Sequence, residues 1–360
     1  MHAVILGAGL MGRLLAHTLA QQGHRVEVHE AQGPDATGAA ARVAAAMLAP
    51  LAESAITELP VVRMGQYGLR RWPEILATLT QPVFFQQNGT LVVWHRQDAA
   101  EARRLGQLLQ HNQQQLPTLA APLALDAAAL ATHEAGLAGR FQQGLLLPGE
   151  GQLDNRQLLD ALHHSMQAQG VALHWHSHRT PADFEPGQAS QADWLVDCRG
   201  LGARPQWAGL RGVRGEVLRL HAPDVSLSRP VRLVHPRYPI YIAPKPDQVF
   251  VVGATEIETD DLSPASVRST LELLSAAYSV HPGFGEARLL EVAAQARPTL
   301  PDNLPALRRL GPRTLQINGL YRHGFLIAPA LLDATLALLH DEPAQLAPGW
   351  GLPIHNDSAA

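Results

Sequence analysis

The sequence holds a single cysteine, Cys198, so no internal disulfide can form and a reducing compartment is expected. It also lacks an excess of basic charge. Lys and Arg number 28 against 32 Asp and Glu, for a net charge of −4. Nucleic-acid binding needs a basic footprint, so it is excluded as the main activity. Long apolar runs are missing as well. The longest, over 324–339, contains Pro329 and Asp333 and falls short of the roughly 20 residues a membrane span requires. The opening MHAVILGAG has neither the length nor the basic leader of a secretion signal. These absences predict a cytoplasmic protein with no membrane span. The sequence contains no G-x-S-x-G, H-E-x-x-H or Walker loop, which removes the hydrolase, zinc-protease and NTPase readings. No internal repeat is present.

What the chain does have is length and an apolar fraction of 46% over 360 residues, enough for a large core and comfortable for two domains. Val4–Leu6 reads as a strand ending in glycines. Residues 10–22 follow with helical spacing, and Arg25–His29 alternates as a second strand, giving a βαβ opening. Residues 53–80 read as an interrupted helix. Val83–His95 reads as a hairpin turning at Asn88-Gly89. Residues 97–115 read as a polar helix and 110–122 as an exposed, low-complexity connection. A helix over 155–169, a strand over 171–176 and an apolar strand over Trp194–Cys198 come next. The stretch 211–254 is strand-rich. A helix at 264–280, a strand at 287–295, a strand at Leu315–Asn318 and a closing helix at 324–340 complete the chain. The βαβ-type pieces lie at the start, middle and end, with antiparallel pieces between them, so two interleaved domains are expected.

Gly7-Ala8-Gly9-Leu10-Met11-Gly12 matches G-x-G-x-x-G after a strand and at the opening of a helix, the context that motif needs. Gly7 permits the tight turn, Gly9 lets backbone approach a pyrophosphate, and Gly12 lets helix and strand pack closely. The helix N-terminus then offers unpaired N–H groups to phosphate. Glu30 closes the second strand, where an acid accepts hydrogen bonds from a ribose. Dinucleotide binding follows, although the motif does not separate NAD from FAD. The late strand, glycine turn and helix over 312–340 favour a large flavin held from both ends of the chain.

The chain resembles the FAD-dependent D-amino-acid oxidase superfamily, and within it the thiamine-biosynthetic glycine oxidases. The resemblance rests on GAGLMG (7–12), AAAMLAP (44–50), LPGEGQLDNRQLL (147–159), DCRGLGAR (197–204), HPRYPIYIAP (235–244), VVGATEIE (251–258), RPTLPDNLP (297–305) and NGLYRHGFLIAP (318–329). It implies an α/β fold in which an FAD-binding Rossmann-type domain of glutathione-reductase-like form is interleaved with an antiparallel-sheet substrate domain. The implied bounds are 1–80, 140–208 and 300–345 for the first, 81–139 and 209–299 for the second, and 346–360 as a C-terminal tail. Cofactor contacts are implied at Leu10 and Met11, at Glu30 and Ala31, at Ala45, Ala46 and Met47, and at Leu320, Tyr321, Arg322, His323, Gly324, Phe325 and Leu326. Arg297 is implied to grip a substrate carboxylate, with Tyr241 assisting and Arg322 on the substrate side of the closing loop.

The resemblance further implies oxidative deamination of glycine or a similarly small amine. Hydride passes to flavin N5, an imine forms, and dioxygen gives hydrogen peroxide. A thiazole synthase is the implied imine acceptor and a homo-oligomer the implied assembly. The alternatives are a dehydrogenase that passes electrons to a quinone or protein, a nicotinamide enzyme, and a flavin-fold module without turnover. The chain departs from the family pattern at Ala40 and Ala41, where a hydroxyl residue is common, at Ala46 (glycine), at His323 (asparagine) and at Glu256 (an apolar residue). Glu256 either receives the substrate ammonium or is solvated. His323 either tunes the flavin or is an ordinary loop histidine. Cys198 is expected to be a buried, inert thiol. His174, His176 and His178 alternate along an expected strand, but no acid or thiol partner stands nearby, so no metal site is expected.

Overall fold

The computed structural model describes residues 1–184, 192–237, 239–342 and 349–356. Tyr238 of the 235–244 motif, residues 343–345, and residues 346–348 and 357–360 of the expected tail lie outside the described residues.

The chain opens with β1 (His2–Leu6), α1 (Leu10–Gln21), β2 (Arg25–His29), α2 (Ala40–Val43), β3 (Met47–Leu48), α3 (Pro50–Glu53) and α4 (Leu59–Leu76). It continues through β4 (Phe85–Gln86), β5 (Thr90–Trp94), α5 (Ala99–Gln115), β6 (Leu123–Asp126), α6 (Ala127–His133), β7 (Gln143–Leu147), β8 (Gly151–Leu153) and α7 (Asn155–Ala168). Next come β9 (Ala172–His174), β10 (Trp194–Asp197), β11 (Arg211–His221), β12 (Val231–Val234), β13 (Ile240–Lys245), β14 (Val249–Gly253) and α8 (Val267–Val280). The last elements are β15 (Arg288–Thr299), β16 (Ala306–Gly311), β17 (Thr314–Asn318), α9 (Gly324–Leu339) and β18 (Ile354–Asn356).

A seven-stranded sheet runs β18-β16-β17-β10-β1-β2-β9. Its centre is parallel: β1 pairs with β2 and β10, and β10 with β17. Strands buried on both faces must be apolar throughout, which explains why His2–Leu6 is buried from Ala3 onward. An eight-stranded sheet runs β15-β11-β14-β13-β12-β5-β7-β6 and is antiparallel except where β12 meets β5. A small sheet, β3-β8-β4, stands apart from both.

Three expectations change. The hairpin over 83–95 does not form, because β4 pairs with β8 while β5 pairs with β7 and β12. Asn88-Gly89 does turn the chain, with Gly89 at φ +87°, but its N–H donates to Glu150 O and the flanking strands enter different sheets. The connection over 110–122 is not fully exposed. Helix α5 carries on to Gln115, and Leu116 and Leu119 are buried in a cluster with Val92 and Leu147. Strand β7, which the resemblance assigns to the first domain, lies in the eight-stranded sheet, and the expected tail supplies β18 to the seven-stranded one.

Helix α9 is apolar on every face, as a helix surrounded by protein must be. Segment Tyr321–Leu339 has the length and composition to cross a membrane, but 67% of its apolar window is buried inside the protein. Its approach to α4 depends on two glycines. A Cβ on Gly68 would lie 2.2 Å from Leu326 O, and one on Gly65 would lie 2.8 Å from Leu326. Trp72 Nε1 donates to Phe325 O at 2.8 Å and pins the start of α9. Asp333, half-way along, accepts from Tyr67 and Arg71.

Candidate functional site: one cavity reached from both ends of the chain

A cavity of about 1250 Å³ runs between the two large sheets, from the turn after β1 to the loop before α9. Its nucleotide end is made of backbone. Gly7 sits at φ +90°, and a Cβ there would lie 2.7 Å from Cys198 O. A Cβ on Gly12 would lie 1.9 Å from Gly7 O, so this position admits only glycine. Gly9 has nothing nearer than Ala39 Cβ at 3.8 Å, which leaves its face open to the cavity. Arg13, fully buried, braces the turn by donating to Ala8 O, Leu159 O and Pro34 O. Burial pulls its guanidinium down to about 10, against the opposing pull of Asp160 and Glu30. Glu30 accepts from Ala8 N–H at 2.6 Å and Gln32 N–H at 2.9 Å. Of the expected cofactor residues, Gly12 and Ala31 do not line the cavity: Gly12 packs beneath the turn and Ala31 is exposed, while Gln32 lines it.

The middle of the cavity is lined by Ala44, Ala45, Ala46 and Met47. Ala46 is held at φ +53°, a conformation that costs a non-glycine residue about 1–2 kcal/mol. A glycine at this position would not carry that cost. Lys245 holds the segment from beneath, its Nζ donating to Ala45 O at 2.8 Å, Leu153 O at 2.7 Å and Gln152 Oε1 at 3.2 Å. Three acceptors match the three protons of an ammonium, although burial pulls Lys245 down to about 7.

Two helix N-termini open on this cavity, α1 after Gly9 and α9 after His323. Neither has a side-chain cap or an acid in its first turn. The start of α1 follows a glycine turn with no capping side chain, which suits a phosphate. A dinucleotide would be held by Gly7, Gly9, Leu10 and Met11 at its phosphates and by the loop before α9 at its ring. The residues present fit FAD.

At the other end of the cavity, Arg297 on β15 donates to Arg214 O at 3.3 Å and Thr255 O at 3.2 Å, and among the described residues it pairs with no carboxylate. Burial pulls its guanidinium down. The space it occupies exists because residue 215 is glycine, where a Cβ would lie 2.1 Å from Arg297 Nη2. Tyr241 on β13 lies beside it, and a Cβ on Gly253 would sit 2.6 Å from the Tyr241 hydroxyl. Burial raises the phenol of Tyr241 and keeps it protonated.

Arg322 stands between two carboxylates. Its Nη1 donates to Glu256 Oε2 at 2.6 Å and its Nε lies 3.4 Å from Glu53 Oε2. Burial alone pulls Arg322 down, but Glu53 and Glu256 together raise it. Glu53, buried on α3, also takes Arg232 at 2.6 Å. Burial pushes Glu53 up, but Arg322, Arg232 and His323 outweigh it and bring the carboxyl down to about 2. His323 is pulled down to about 4 by burial and is neutral near pH 7. Glu256 further accepts from the Tyr321 hydroxyl at 2.6 Å, which with burial holds that phenol up at about 12. Glu256 is therefore neither free nor simply solvated. Sequence reasoning missed Glu53, Gly215, Gly253 and Lys245. Gly253 lies inside the VVGATEIE block but was given no role there, and Glu53, Gly215 and Lys245 act on partners far away in the chain.

Cys198 lines the cavity behind the glycine turn and is half-buried rather than fully buried as expected; desolvation raises its thiol well above the ordinary range. The alternating histidines do not share a strand face, since β9 ends at His174 and His176 turns to φ +55°. His174 instead stacks on His29 with ring centroids 4.5 Å apart. With Glu27 these form a group whose donor atoms lie within 4.8 Å of one another. Glu27 is already held by His2 and Arg25, and His29 by Ser177, so no metal assignment follows.

The parallel glycine-turn sheet, the second antiparallel sheet and the shared cavity define an FAD-binding oxidoreductase fold. The family model for FAD dependent oxidoreductases matches residues 2–334, and the chain belongs to that family. It is 41% identical over 345 residues to a Rhizobium etli protein named "Putative thiamine biosynthesis oxidoreductase ThiO", covering 96% of this chain and 98% of the relative. The glycine oxidase of Bacillus cereus ATCC 14579 superposes with a TM-score of 0.81 at 20% identity, covering 96% and 97% of the two chains. An iminodiacetate oxidase from Chelativorans sp. BNC1 superposes with a TM-score of 0.79 at 20% identity, covering 98% and 99%. The protein is an FAD-dependent oxidoreductase.

Proposed function

We propose that the protein oxidatively deaminates glycine or a similarly small amine, and that its imine product feeds thiazole formation in thiamine biosynthesis. The observation that carries this reading is Arg297, a cavity guanidinium that has no carboxylate partner among the described residues, beside the buried phenol of Tyr241. A guanidinium fork binds a carboxylate at two points and fixes its orientation. Tyr241 adds a donor, and Gly215 and Gly253 keep both side chains from being displaced. Holding the substrate acid at this spot sets its α-carbon towards the closing loop, so positioning is the protein's main contribution. Bound FAD supplies the hydride acceptor at N5, with dioxygen as the final oxidant and hydrogen peroxide as its product. No side chain is assigned as a general base.

The Rhizobium relative's name supports the thiamine role, with a thiazole synthase as acceptor of the imine. The division into a cofactor part (1–80, 140–208, 300–345) and a substrate part (81–139, 209–299) is likewise proposed, with β7 moved to the second. Cytoplasmic location belongs to the same reading. Homo-oligomer formation does too, and the exposed Val267 and Leu271 on α8 and Leu289 and Leu290 on β15 offer apolar surface for it. The test is anaerobic addition of glycine, sarcosine and D-alanine to the purified yellow protein. At least one of them bleaches the flavin, and Arg297→Ala keeps the flavin but lowers kcat/KM about a hundredfold or more. A wild type that none of them bleaches contradicts the reading.

A further inference from the structure

Among the guanidiniums that line this end of the cavity, Arg297 and Arg322 are not equivalent. Among the described residues Arg297 has two long hydrogen bonds, both to backbone carbonyls. Arg322 has a close partner in Glu256 and a second carboxylate in Glu53. Glu53 and Glu256 together face Arg232 and Arg322, so this cluster of two acids and two bases is neutral as a whole. Arg297 makes no ion pair with this cluster among the described residues, although Glu256 and Arg322 both act on it through space. An incoming substrate carboxylate therefore meets a guanidinium with no ion-pair partner among the described residues, with Glu256 a short way off.

The position of Glu256 makes this arrangement specific. It follows β14 in the loop whose Thr255 carbonyl takes Arg297, and it reaches across to the closing loop, where Tyr321 and Arg322 both donate to it at 2.6 Å. Its side chain is 45% exposed, so it forms the solvent side of the substrate end. The fold does not settle how many carboxylates a substrate carries, since an enzyme named for glycine and one named for iminodiacetate both superpose on it.

We infer that Glu256 masks Arg322 and so makes the site selective for amines that carry a single carboxylate. A monocarboxylate neutralises Arg297 and leaves the cluster intact. A dicarboxylate brings a second negative charge to a place where the available guanidinium is already occupied and where Glu256 repels it. Discrimination of this kind works by a built-in repulsive element as well as an attractive one. Removing the charge of Glu256 while keeping its shape releases Arg322 as a second carboxylate site.

This inference rests on the amine-oxidase reading for its substrates but is tested first by binding. Acetate and malonate are added to the flavin-loaded protein, and melting temperature and the visible flavin spectrum are followed. The wild type responds to acetate and much less to malonate. Glu256→Gln gains affinity for malonate, and its selectivity for iminodiacetate over glycine rises about ten- to a hundredfold, the range of one charge-assisted hydrogen bond. Adding Arg322→Gln to Glu256→Gln abolishes the gain. The inference is overturned if the wild type binds malonate as well as acetate, or if Glu256→Gln leaves the acetate-to-malonate ratio unchanged. If Glu256→Gln loses flavin, the wild-type comparison alone decides. If the wild type oxidises no amine, the amine-oxidase reading falls, while the acetate and malonate responses, checked against Arg297→Ala, still decide the masking.

Discussion

At its nucleotide end the cavity is walled by backbone, and at its substrate end by side chains. The first end depends on what is missing: a Cβ at Gly7, Gly9 and Gly12, and a cap on α1. The second depends on charged groups, Arg297, Arg322, Glu53 and Glu256, brought together from β15, the closing loop, α3 and the loop after β14. A backbone site must be continuous in sequence, because one turn and one helix start create it. A side-chain site need not be, because any strand end can deliver a group. On the proposed reading, the first end would hold the cofactor and the second would select the substrate.

The sharpest way to break this contrast is one glycine substitution at each end. Gly12→Val puts a branched side chain where even a Cβ lies 1.9 Å from Gly7 O, and the protein is expected to purify without flavin. Gly215→Ala puts a Cβ 2.1 Å from Arg297 Nη2 and should retain the flavin while kcat/KM for the amine falls about a hundredfold through a displaced guanidinium. Equal flavin loss in both variants, read from the visible absorbance of purified protein, would remove the distinction.

A smaller effect separates the ends by pH. Burial holds His323 at about 4, below its ordinary 6.5. Between those values the unfolded chain binds a proton that the folded one does not, so stability is full above 6.5 and is lost as pH falls towards 4. Across the whole window this amounts to on the order of 3 kcal/mol. His323→Asn is expected to flatten the fall of melting temperature between pH 6.5 and 4. A slope unchanged in that variant assigns the acid sensitivity elsewhere.

The same division explains what could be read from the sequence. The β1–turn–α1 unit was fully legible, since its apolar run, glycine spacing and Glu30 are contiguous and each has a local cause. Strands β11 to β14 were legible as strands for the same reason, but their neighbours were not. The 83–95 stretch has every local mark of a hairpin, yet β8 and β12 compete successfully for its two strands. At the proposed substrate end, the roles of Arg297 and Tyr241 came from the family resemblance, while Arg322 also stood out in the sequence as a charge set before a glycine and an apolar run. Glu53 lies more than two hundred residues before Arg322 in the chain, and nothing in LAPLAES distinguishes an acid buried against two guanidiniums from one on a helix surface. Charge pairing over such distances is a property of the fold, and only the fold reveals it.

The central claim is that a flavin held from both ends of the chain faces a carboxylate held by Arg297. An experimental structure of the flavin-loaded protein with acetate bound tests it most directly. The account predicts acetate within hydrogen-bonding distance of Arg297 and the Tyr241 hydroxyl, with the isoalloxazine between that site and the start of α9. Acetate bound elsewhere, with Arg297 turned away from the ring, would contradict it.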